Sequence, residues 1–209
     1  MLQHRILMPL LPLLAVVSAT SLPNRMALRQ TAASSIQPLG SNDQAGDTEL
    51  CVTVMGGQAV VGASLHLATC FDHPEQEGEE DKTFLQSFAC SELEGEGEQS
   101  LAITLQAAPN LCIDRGSDDA QDGSGLQLQE CADPPIPAQL WRHDDQSRIL
   151  SQSGDVNKCL VIQEGSTHSQ NEGDPYASEK YLQTWTCADY NQNQVGRING
   201  HFASGTGGC

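Results

Sequence analysis

The chain has 209 residues, with 27 acidic side chains against 10 basic ones and a formal net charge of −17. Such a field repels phosphate backbones and anionic headgroups, so nucleic acid and acidic membrane surfaces are poor candidate partners. Beyond the amino-terminal segment no apolar run approaches the ~18 residues that a membrane-spanning helix needs, and no membrane insertion is expected.

In chain order, His4 and Arg5 precede an apolar run from Ile6 to Val17, and Ser18 and Ala19 follow it. A basic start, a short apolar core and the small-residue pattern Val17-x-Ala19 read as a secretory signal peptide over residues 1–19. The mature protein is therefore expected to be secreted and extracellular. Residues 20–46 are rich in Ser, Ala, Gln, Pro and Gly with no sustained period, and are expected to form a flexible leader. A single domain is expected over residues 47–209, an ordinary domain size.

Within that domain the pattern is one of strands. "LCVTV", "VVGASLHLATC", "FLQSF", "LAITL", "LQLQEC", "QLW", "RIL", "KCLVI" and "YLQTWTC" follow in order, as short runs with alternating or continuous apolar positions. Clusters of Gly, Asn, Asp and Ser separate them. No window of helical length keeps an i, i+3, i+4, i+7 apolar face, so an all-β barrel or sandwich is expected.

Three stretches repeat one grammar: an apolar start with Leu beside Cys, a polar turn, and a strand of the form Leu-x-x-x-x-Cys. They run from Leu50-Cys51 to Cys70, from Leu111-Cys112 to Cys131, and from Cys159-Leu160 to Cys187. A threefold repeat implies stacked or pseudo-symmetric units around one core. The eight cysteines are even in number, widely separated and never in a C-x-x-C pair, which in an exported chain indicates disulfides rather than a metal site. If each repeat bridges its own two ends, the pairs are Cys51–Cys70, Cys112–Cys131 and Cys159–Cys187, leaving Cys90 with Cys209.

The units differ in their insertions. Ten of the 27 acidic residues fall between Asp72 and Glu98, in "DHPEQEGEED" and "ELEGEGE", and read as solvated loops of the first unit. The third unit carries "EGSTHSQNEGDPYASEK" between Glu164 and Lys180. "DDAQDGSGLQLQ", from Asp118 to Gln129, matches a calcium loop at Asp118, Asp122 and Gly123, but Ala120 and Gln129 stand where ligands belong; it reads as a turn. No nucleophile elbow, metalloprotease helix or phosphate loop occurs, and no enzyme activity, metal or cofactor is expected. No N-x-Ser/Thr acceptor for N-glycosylation occurs either.

These residues resemble the ricin B-type lectins, also called family 13 carbohydrate-binding modules. That family combines a Cys-x-Asp strand, a Gln-x-Trp-x-Cys strand and an Asn-Gln-x-Trp signature, three times over. The last element stands here as Gln86-Ser87-Phe88, Gln139-Leu140-Trp141 and Gln194-Val195-Gly196. The resemblance covers Leu50 to about Ile198 and implies a β-trefoil of three pseudo-repeats, stapled by disulfides. It also implies that Phe88 and Trp141 pack the core, with Gly196 leaving the third unit short of one anchor.

What the resemblance implies for ligands is unequal among the units. A sugar site needs a carboxylate and amides for the hydroxyls, and an aromatic ring for the apolar face of the pyranose. The first unit has Thr53, His66 and Ala68 at those places and is expected not to bind. The second keeps Asp114, Gln127 and Gln139, with Gln129 for the ring and Ala138 for the Asn. The third keeps Gln183, Trp185, Asn193 and Gln194, with Val161 for the carboxylate. Glycans of the galactose type are the expected partners. The rival expectation is a trefoil with decayed sugar sites, such as a protease inhibitor presenting the Glu164–Lys180 insertion or the acidic loops.

Overall fold

The computed structural model describes residues 35–38, 50–71, 81–93, 100–153, 156–163, 180–194 and 196–199. Twelve strands run through them: β1 (Ser35–Pro38), β2 (Leu50–Val54), β3 (Ser64–Thr69), β4 (Phe88–Leu93), β5 (Ser100–Leu105), β6 (Ala108–Asp114), β7 (Ser124–Glu130), β8 (Leu140–His143), β9 (Ile149–Ser153), β10 (Val156–Ile162), β11 (Leu182–Thr186) and β12 (Gly196–Asn199). They group as three four-stranded units, β1–β4, β5–β8 and β9–β12. In each unit the second and third strands pair antiparallel, as β2–β3, β6–β7 and β10–β11. The fourth strand of one unit pairs with the first of the next, as β4–β5, β8–β9 and, closing the ring, β12–β1.

This closure corrects the sequence reading at the amino-terminal side. Ser35–Pro38 belongs to the segment expected to be a leader, yet it forms β1 against β12 and buries Ile36 to 2% exposure. The Gln37 side chain donates to Cys51 Sγ and Cys70 Sγ at 3.5 and 3.4 Å, resting on the first disulfide. The reason is geometric: without β1, β12 would be an unpaired edge and one of the three inter-unit hairpins would be missing.

The third strands of the units meet one another around the pseudo-threefold axis. Leu128 exchanges backbone bonds with Ala63 and Gly62, Thr184 accepts from Gly123, and Leu67 exchanges two bonds with Lys180, all at 2.8 to 3.1 Å. Three disulfides, Cys51–Cys70, Cys112–Cys131 and Cys159–Cys187, each tie the second strand of a unit to the end of its third. Cys90 is also oxidised, but the pairing with Cys209 lies outside the described residues.

A second device recurs three times. Gln86, Gln139 and Gln194 are each buried at or just after a single 3-10 turn (Thr83–Leu85, Pro137–Gln139, Gln192–Gln194). Each accepts through Oε1 from the backbone N–H after the second cysteine of the unit's own disulfide, at Phe71, Ala132 and Ala188, over 2.7 to 2.9 Å. Each donates through Nε2 to the carbonyl before that cysteine, at Thr69, Glu130 and Thr186, over 2.9 to 3.0 Å. The amide thus satisfies two backbone groups where the chain leaves its strand. The run "FLQSF", read as a strand, is broken for this purpose: Thr83–Leu85 turns so that Gln86 points inward, and β4 starts only at Phe88.

The core lies between the units. Phe88 and Trp141 occupy it at 0% and 1% exposure, and Trp141 Nε1 donates to Ile113 O at 3.0 Å. In the third unit Gly196 supplies no ring, and a small cavity remains there, lined among others by Ile36, Val52, Ile149, Leu160, Ile162 and Leu182. A Cβ on Gly196 would stand 3.5 Å from Gln37 O and 3.7 Å from Ile149 Cδ1, ordinary contacts. Trp141→Ala should therefore cost about 3–5 kcal/mol in denaturant unfolding, the range for a deleted core aromatic. Gly196→Ala should instead be stabilising by about 0.4–1 kcal/mol, because the backbone there accepts a side chain without strain. Gln194→Leu should cost about 1–3 kcal/mol by orphaning two backbone groups.

Candidate functional site

In every unit the residue two places after the first cysteine stands opposite the residue four places before the second. These cross-strand pairs are Thr53 with His66, Asp114 with Gln127, and Val161 with Gln183. The backbone stage is therefore the same three times, and only the side chains differ.

In the first unit Thr53 is fully buried; it donates to Cys51 O at 2.8 Å and accepts from Gln86 Nε2 at 2.8 Å. Ala68 is buried as well. His66 is partly buried, its Nδ1 has no hydrogen-bond partner among the described residues, and burial lowers its pKa, so the imidazole is neutral at pH 7. Its ring meets that of Tyr181 edge-on, with centroids 4.9 Å apart.

In the second unit Asp114 is 5% exposed and both its oxygens are engaged. Oδ1 accepts from the Gly116 N–H at 2.6 Å and Oδ2 from Gln139 Nε2 at 3.0 Å. Gln127 and Gln129 are half-buried on the neighbouring strand, and Ala138 is buried. Behind Asp114 lies Arg115, 1% exposed, whose Nη2 is 3.8 Å from Asp118 Oδ1. Burial lowers the Arg115 pKa and the field of Asp118, Asp114 and Asp119 works against that shift.

In the third unit Trp185 is 45% exposed, and Gln183 sits on the same strand face two residues away. Val161, opposite Gln183, offers no polar side-chain atom. The wall of this site comes from the second unit: a Cβ on Gly123 would lie 3.7 Å from Gln183 Oε1 and 3.8 Å from Trp185 Cζ3. Gly123 has φ +90°, which an L side chain adopts only with strain, so the wall stays bare.

Asp122 fixes that wall. Its Oδ1 accepts from Lys158 Nζ at 2.6 Å, from the Thr186 N–H at 2.6 Å and from Thr186 Oγ1 at 2.9 Å, joining the second unit to the third. Desolvation raises the pKa of this carboxyl, but the hydrogen bonds from Lys158 and Thr186 outweigh it and hold the group below the usual carboxylate value. Asn193 is half-buried; its N–H donates to Asn191 Oδ1 at 3.0 Å, and the residue borders the cavity left by Gly196.

Of the residues singled out from sequence, Gln183 and Trp185 stand together on one open face. Asp114 and Gln139 stand together inside the fold, Gln127 lies opposite Asp114, and Gln194 clamps the backbone. Asp122 and Gly123 were read from sequence only as part of a turn, and their contacts with Lys158, Thr186, Gln183 and Trp185 escaped that reading. The Asp-Gly-Ser-Gly stretch opening β7 is the signal that a tight, bare turn approaches another element there. The Glu164–Lys180 insertion lies, apart from Lys180, outside the described residues.

Residues 43–195, well over half of the chain, match the ricin-type beta-trefoil lectin domain. Among solved structures, the designed threefold-symmetric protein ThreeFoil is similar with a TM-score of 0.53 at 11% identity, covering 79% of this chain and 96% of that one. The mdaA-1 domain is similar with a TM-score of 0.52 at 11% identity, covering 79% and 88%. The earthworm R-type lectin C-half, solved with GalNAc, gives a TM-score of 0.49 at 13% identity, covering 80% and 98%. No curated protein sequence matches closely enough to count as a relative. A β-trefoil with three within-unit disulfides, matched over 43–195, places this chain in the ricin-type β-trefoil lectin family.

Proposed function

We propose that the chain is a secreted, non-catalytic carbohydrate-binding protein that takes galactose-type glycans through incomplete sites in the second and third units. The observation that carries this reading is Trp185: a large ring left 45% exposed beside the amide of Gln183, over a bare glycine wall. Exposed indole and amide together are what the apolar face and the hydroxyls of a pyranose require. The second unit contributes Gln127 and the rim of Asp114, whose carboxylate is already engaged by two hydrogen bonds and is a poor general base. Three disulfides accord with an oxidising, extracellular compartment. Because Val161 removes the third unit's carboxylate, a single site is weak, and useful affinity comes from several contacts acting together.

Trp185→Ala should reduce binding to an immobilised glycan array by about tenfold or more while leaving the melting temperature nearly unchanged, since the ring is half in solvent. If no glycan is retained by the unaltered protein, the sugar reading fails. The Asp122 wall gives a pH signature. Its folded carboxyl releases its proton more easily than the unfolded one, so its contribution to stability is present above the ordinary value of 3.8 and is lost as pH falls through the lower folded value. Asp122→Asn should accordingly lower the melting temperature at neutral pH, and the gap to the unaltered protein should close in acid below 3.8.

A further inference from the structure

Tyr181 adds a second ring to the face that carries Trp185. Along the extended segment from Tyr181 to Trp185, burial alternates: Tyr181 is 54% and Trp185 45% exposed, Gln183 is intermediate, and Leu182 and Thr184 are buried. A period of two puts Tyr181, Gln183 and Trp185 on one side of the strand, with the outer pair separated by about 13 Å along it. The backbone under Tyr181 is fixed by the two hydrogen bonds between Lys180 and Leu67, at 3.0 and 3.1 Å, and by the Gln163 N–H donating to Tyr181 O at 3.0 Å. His66 of the first unit meets the phenol ring edge-on at 4.9 Å. On the β7 side Gly125 stands opposite Gln183, with Gly123 just ahead of the strand, and a Cβ on Gly125 would meet no atom within 4 Å. On the β10 side the buried Val161 and Cys159 stand opposite Gln183 and Trp185. The result is an open trough with an aromatic ring at each end and an amide in the middle.

A single pyranose resting on Trp185 does not reach Tyr181. We propose that this strand face is an extended platform for a linear oligosaccharide, with Tyr181 and Trp185 stacking on sugar rings at either end and Gln183 bonding hydroxyls between them. The proposal rests on the sugar-binding reading above and names the ligand class for it: a chain of sugars rather than a terminal monosaccharide. His66 is a positioning residue that holds the Tyr181 ring upright, and the site is shared between the first and third units. The first unit, expected not to bind, thus contributes through a neighbour's ring in place of its own missing one at Ala68.

The test uses the full chain on an array of linear β-linked galacto-, gluco- and xylo-oligosaccharides, each printed from monosaccharide to tetrasaccharide. At least one series should gain about tenfold in affinity between the monosaccharide and the trisaccharide, the scale of one added ring contact. Tyr181→Ala should abolish that gain without weakening the monosaccharide, Tyr181→Phe should preserve it, and Trp185→Ala should weaken both. His66→Ala should reduce the gain only in part. Equal affinity for short and long sugars, or a Tyr181→Ala protein with its length dependence intact, overturns the platform and leaves sugar binding standing. Retention of no sugar of any length overturns the sugar reading itself.

Discussion

Three buried glutamines carry the constraint on which the rest of this trefoil depends. At the end of each third strand the chain turns away just after a cysteine, at a part-buried spot where a carbonyl and an N–H flank the turn. Gln86, Gln139 and Gln194 each supply one acceptor and one donor to that spot. A buried amide with matched partners contributes modestly, whereas orphaned backbone groups are costly, so the clamp decides where the strand can end. The adjoining disulfide then fixes the same strand end covalently, and the aromatic two residues beyond the glutamine fills the core in the first two units.

The third unit departs from this scheme. Gly196 leaves a cavity where Trp141 fills the second unit, and Val161 gives Gln194 no side-chain partner of the kind that Asp114 gives Gln139 and Thr53 gives Gln86. Its compensation is external. Lys158 and Thr186 grip Asp122 of the second unit, and Tyr181 packs on His66 of the first. The unit least anchored in the core is thus held by side-chain contacts to both of its neighbours, and it is also the one that exposes the largest rings.

Much of the fold was legible because the cysteines mark the strand ends directly. Leu50, Leu111 and Leu160 beside their cysteines located the second strands, and the Leu-x-x-x-x-Cys runs located the third. What escaped was short or non-local. Ser35–Pro38 has one strongly apolar residue, Ile36, and a proline that suits only an edge, so nothing in its pattern outweighs the polar segment around it. The Asp122–Lys158 pair joins residues 36 apart, a separation over which sequence carries no register. For the site, the amide and indole at Gln183 and Trp185 were visible as a motif. Tyr181 opens the run "YLQTWTC" read as a strand, but nothing in the sequence placed its ring, because its partner His66 belongs to another unit and only the threefold junction brings them together.

The pairing of β12 with β1 has a further meaning. It is the same hairpin that joins β4 to β5 and β8 to β9, except that no peptide runs across it. Viewed down the axis, the described fold is a ring with a nick rather than a line with two ends, and the numbering of its units records only where the nick falls. A chain re-cut between β4 and β5 or between β8 and β9, and rejoined across β12 and β1, would present the same trough in the same place, because the glycine wall, the imidazole and the two rings are neighbours around the ring and not along the chain.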